Sequence, residues 1–130
     1  MPPRGKLFAG FAAISLLAAT LIGAYASHGM QTAPASAVDA VRTAVEFQFY
    51  HGLALLAVPL LSAHLAPRWT LAAGSLFVVG TLLFCGGIYA SYLLGIGSAT
   101  RIAPLGGISF AVGWASMAIA ALIPASRRAS

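Results

Sequence analysis

The residues best able to do chemistry are few. The chain has two carboxylates, Asp39 and Glu46, three histidines and one cysteine. His28, Glu46 and His51 have the right types for a metal site, since imidazole with carboxylate suits zinc or iron. Their spacing fits no ligand motif, however, and neither HExxH nor CxxC occurs. A haem held by His28 and His51 would lack any pocket signature. Glu46, His51 and the tyrosines can alternatively be read as a proton or solute path, because His and carboxylates relay protons. Gln48 and His51, three residues apart, share a helix face; Glu46 lies about 140° round from His51 and faces other neighbours. Tyr25, His28, Arg42, Glu46, Gln48, His51 and Tyr89 form the candidate polar cluster. The favoured reading is that these groups satisfy one another and the nearby loop backbone. No nucleophile has a partnered base, and no glycine-rich loop follows a strand. Gly106-Gly107 is read as a close-approach or turn element, and Trp114 as packing against small neighbours. No catalytic, cofactor-binding or metal residue is assigned, and no cofactor is expected.

The elements that must position these residues are set by hydropathy. Of 130 residues, 60% are hydrophobic and 7% charged, with a mean hydropathy of +0.93. Soluble domains carry roughly a quarter charged residues, so this chain has too little polar surface to cover a water-soluble globule. A nucleic-acid binder would gather its seven Lys and Arg into one basic face; here they stand in small groups at the ends of apolar runs, as topology signals do. The single cysteine, Cys85, allows no internal disulfide.

Four apolar runs predict an all-α integral membrane four-helix bundle, one membrane domain over 1–130, with spans near 7–27, 43–65, 71–94 and 102–123. The first run covers about 30 Å at about 1.5 Å per residue. Arg4, Lys6 and the Ala24-Tyr25-Ala26 segment resemble a signal peptide, but the run is longer than such an h-region, so the helix is expected to be retained. Ser36 with Asp39 predicts an N-cap, starting the second helix near Ala37. Its first turns, 37–46, are amphipathic, with Arg42 and Glu46 spaced to pair. Pro59 is expected to kink it, and Trp69 to mark an interface.

Lipid tails are as apolar as Leu, so small residues must let these helices pack. Ser15, Ala19, Gly23 and Ser27 form one stripe at successive i+4 positions; Gly86 with Ala90, Gly87 with Ser91, and Ser109 with Gly113 repeat the spacing. Residues 7–27 and 71–91, aligned without gaps, share seven identities, including Gly-x-Tyr-Ala-Ser at 23–27 and 87–91. That pattern suggests two parallel two-helix repeats. With the N-terminus inside, Arg4, Lys6, Arg68, Arg127 and Arg128 fall on the inner side against Arg42 and Arg101 outside, which places both termini in the cytoplasm.

Gly23-Ala24-Tyr25-Ala26-Ser27-His28-Gly29-Met30 resembles a glycine-alanine-aromatic-small-small-His-Gly segment of the YgdD-like family of small inner-membrane proteins, a domain of unknown function with eukaryotic relatives. Three further segments are similar to it in order: Thr43 to His51, ending in an aromatic and His; Leu83 to Tyr89; and Pro104-Leu105-Gly106-Gly107 followed by Gly113-Trp114. Cys85 stands where that family has Ser or another small residue, and Glu46 where Gln is frequent, which weakens any shared carboxylate mechanism. The resemblance implies four membrane helices with the first retained, and no reaction, cofactor or binding residue. The expected function is a non-enzymatic accessory or structural protein of the bacterial inner membrane. Its expected partners are the lipid bilayer and either a second copy or another membrane protein, with no nucleic acid. The alternative is a small transporter or proton-conducting module using Glu46 and His51.

Overall fold

The computed structural model describes residues 3–124; Arg127 and Arg128, counted for orientation, lie outside them. Four helices account for most of these residues: α1 (Pro3–His28), α2 (Ala35–Leu61), α3 (Pro67–Tyr92) and α4 (Ala103–Leu122), the last entered through a 3₁₀ helix over Gly97–Ile102. No strand occurs among the described residues. α1, α2 and α3 have 26, 27 and 26 residues, or about 40 Å each, enough to cross a hydrocarbon core of about 30 Å with interfacial turns to spare. α1 packs chiefly on α2, and α3 on α4, giving two antiparallel hairpins side by side. The 3₁₀ helix with α4 is long and apolar enough to make the fourth span.

Many aliphatic side chains face outward and alanines inward, around a buried centre that includes Leu55, Phe77 and Phe110. Leu7, Ile14, Leu53, Leu60, Leu105 and Ile108 point outward, while Ala12, Ala19, Ala44, Ala73 and Ala120 are wholly buried. A lipid solvent explains this arrangement: exposing Leu to acyl chains costs nothing comparable to exposing it to water, whereas small side chains let backbones approach. The stripe on α1 turns into the bundle at Ser15 and Ala19 and comes out to the surface at Ser27. At Gly106 α4 lies close against α3, and an added Cβ would collide with the backbone of Phe84.

Several local expectations are corrected. Ser36 is not a cap: α2 begins at Ala35 behind Pro34, whose carbonyl accepts the Ala37 and Val38 N–H groups at 3.0 and 3.2 Å. The fixed φ of proline, −57° here, sets up the helix without a side-chain cap. α2 ends at Leu61, so Pro59 falls in its last turn, and residues 62–65 form a turn instead of a further helical stretch. α3 begins earlier than expected, with Pro67 at its first position. It contains a π-helical segment, Thr81–Cys85, that hydropathy does not signal. The turn after α3 contains Gly95 at φ +76°, a left-handed conformation in which only glycine is relaxed.

Candidate functional site

Ser15, Gln48 and Tyr89 meet between α1, α2 and α3. Gln48 Nε2 donates to the Ser15 carbonyl at 2.9 Å and to Ser15 Oγ at 3.0 Å. Tyr89 Oη donates to Gln48 Oε1 at 2.7 Å. The small Ser15 lets the long amide reach the α1 backbone, and the amide thereby ties three helices together. One turn along α3 from Tyr89, the thiol of Cys85, the last residue of the π segment, donates to the Ala44 carbonyl at 3.2 Å. An amide left unpaired in a bilayer costs several kcal/mol, on the order of the penalty for any orphaned polar group in hydrocarbon. Among the described residues no buried side-chain nitrogen or oxygen lacks a partner.

His51 lies about 24 Å along α2 from its first residue, in the middle of the bundle and away from its rim. Its ring stacks on Phe110 with centroids 3.6 Å apart and 10° between planes. Phe47, Phe77 and Trp114 close the cage. Trp114 Nε1 donates to His51 Nε2 at 2.9 Å, and His51 Nδ1 lies 2.7 Å from the Phe47 carbonyl. An indole N–H can only donate and a carbonyl can only accept, so Nε2 is bare, Nδ1 carries the proton, and the ring is neutral. Both nitrogens are committed to protein partners. Trp114, expected merely to pack, is the residue that fixes the state of His51. The available signal was the indole N–H itself, which needs an acceptor when embedded in apolar surroundings.

The remaining candidates point elsewhere. Arg42 and Glu46 are exposed on the outer face of α2, together with Asp39 and Tyr50. The expected Arg42–Glu46 pairing is not what forms: the Glu46 carboxylate accepts from Tyr50 Oη at 3.2 Å. Tyr25 and His28 are exposed at the end of α1, His28 in its last turn, where a basic group complements the helix dipole. His28, Glu46 and His51 are therefore not brought together, and among the described residues no three His, Cys, Asp or Glu side chains converge. The seven-residue cluster resolves into an interior pair (Gln48, Tyr89), a caged His51, a pair exposed on the outer face of α2 (Arg42, Glu46), and a rim pair (Tyr25, His28).

Comparison with known proteins gives a consistent picture. Residues 22–107 match a family described as protein of unknown function, DUF423. The UPF0382 membrane protein YwdK of Bacillus subtilis is 32% identical over 119 residues, covering 90% of this chain and 97% of the relative. The UPF0382 inner membrane protein YgdD of Escherichia coli is 31% identical over 113 residues, 86% of each chain. A UPF0382 membrane protein of Schizosaccharomyces pombe is 35% identical over 115 residues, 83% of this chain and 95% of the relative. No solved structure matches. With its four apolar helices, its lipid-adapted surface and these relatives, the chain belongs to the DUF423 family of membrane proteins.

Proposed function

We propose that the protein is a non-enzymatic structural or accessory protein of the inner membrane, one membrane domain with both termini in the cytoplasm, which assembles with a second copy of itself through the outer face of α2. The observation that carries this reading is the polar stripe on that face. Asp39, Arg42, Glu46 and Tyr50 are all exposed at helical spacing and continue into Leu53, Leu56 and Leu60. Glu46 stands about 22 Å from the far end of α2, inside a hydrocarbon core of about 30 Å that reaches to that end. A carboxylate at such depth ordinarily faces protein or water. Two α2 helices related by a two-fold axis along the membrane normal set each Glu46 level with its counterpart and one turn from the other copy's Arg42, whose long side chain can span that rise.

The interior network supports a structural role, because its polar groups are occupied with one another. A proton path through Glu46 and His51 has less support, since these residues face opposite sides of α2 and both His51 nitrogens are engaged. The test is disulfide cross-linking in native membranes of Thr43→Cys, an exposed position on the stripe, in a Cys85→Ser background. A cross-linked dimer is expected from Thr43→Cys and none from Ile108→Cys on the lipid face of α4. Equal dimer at both positions, no dimer at either, or an adduct with a different protein would overturn self-assembly through this face.

A further inference from the structure

The opposite end of the bundle carries two arginines that the interior network does not use. Arg4, in the first turn of α1, and Arg68, in the first turn of α3, line one cavity of about 380 Å³. Leu7, Phe8, Leu71 and Ala72 form its apolar walls, with Ser75 beside them. A second cavity of about 360 Å³ shares Arg4 and Leu71 and reaches Ser62 and Pro67.

We propose that this cavity binds an anionic phospholipid, its phosphate between Arg4 and Arg68 and its acyl chains along Leu7, Phe8 and Leu71. Charge complementarity selects the headgroup. The only acidic side chains of the chain, Asp39 and Glu46, lie in the first half of α2, toward the other end of the bundle, so no carboxylate side chain can neutralise these guanidiniums. Each also stands at the positive end of a helix dipole, where an anion is favoured and a lone cation is not. Guanidinium groups present forked donors that match phosphate oxygens. The walls select a lipid over a free anion: inorganic phosphate makes no use of Leu7 and Phe8, whereas a diacyl phosphate places its tails there and remains in the bilayer plane. Topology signals alone require basic residues at this end and do not require two of them to face one cavity; basic pockets between membrane helices are the usual form of anionic-lipid sites.

The test uses the full chain purified in mild detergent, with native mass spectrometry and thermal unfolding as readouts. Dioleoylphosphatidylglycerol is expected to remain bound and to raise the unfolding temperature, whereas dioleoylphosphatidylcholine and inorganic phosphate do neither. Arg4→Gln and Arg68→Gln should each weaken phosphatidylglycerol binding, on the order of fivefold per arginine, while Arg101→Gln at the other end leaves it unchanged. Ala72→Phe, which fills the cavity and keeps both charges, should also reduce binding; it serves as the second variant if the arginine variants fold poorly. Equal retention of phosphatidylcholine, an equal effect of inorganic phosphate, an equal loss in Arg101→Gln, or undiminished binding in Ala72→Phe would each overturn the proposal.

Discussion

Trp114 and His51 share one hydrogen bond, and its loss should cost more than its formation contributes. Trp114→Phe leaves Nε2 of a buried imidazole bare inside an aromatic cage, with an expected penalty of about 1–3 kcal/mol. His51→Phe together with Trp114→Phe removes both partners and should recover part of that loss. A double-mutant cycle on thermal unfolding in detergent checks this, and strictly additive penalties would show that the bond carries no coupling. The sequence made Gln48 and His51 candidates because polar groups are rare in apolar runs. It could not name their partners: Trp114 is 63 residues from His51, and Tyr89 is 41 from Gln48. Only the folded packing of α2 against α3 and α4 brings these rings together. Glu46, by contrast, was legible as divergent from His51, because five residues of helix turn a side chain to another face.

Each helix follows from a hydropathic run of spanning length, which is why four helices and their antiparallel order can be read without coordinates. Their ends and irregularities cannot, because a single side chain settles them against weak local preferences. Pro34 starts α2 two residues before the expected Ala37, and α2 ends two residues after Pro59. The π turn of α3 leaves no hydropathic trace, yet it ends at Cys85, which meets Ala44, one turn before Tyr89 meets Gln48. The α3–α4 contact gives a sharper expectation. Gly106→Ala places a methyl group against the Phe84 backbone, which cannot give as a flexible side chain would. The expected destabilisation is about 1–3 kcal/mol from overpacking. Gly107→Ala, with open space around it, should be close to neutral. The two unfolding temperatures side by side check the prediction.

The assembled molecule is asymmetric along its long axis. Arg4, Lys6, His64 and Arg68 stand at one end without an acidic side chain, and both carboxylates lie toward the other. This asymmetry motivates the proposed orientation. In a Cys85→Ser background, His28→Cys should react with a membrane-impermeant maleimide in intact cells, and His64→Cys only after permeabilisation; the reverse pattern would invert the molecule. The cage around His51 has a consequence of another kind. The chain has two tryptophans, Trp69 in the first turn of α3 and Trp114 at mid-bundle, its ring 4.6 Å by centroid from Phe77 and its N–H held by His51. With Trp69 replaced by Phe, all indole emission would come from one fluorophore bonded to the one imidazole at the centre of the fold. Its wavelength and lifetime would then report, without any added label, whether the four helices are still in register.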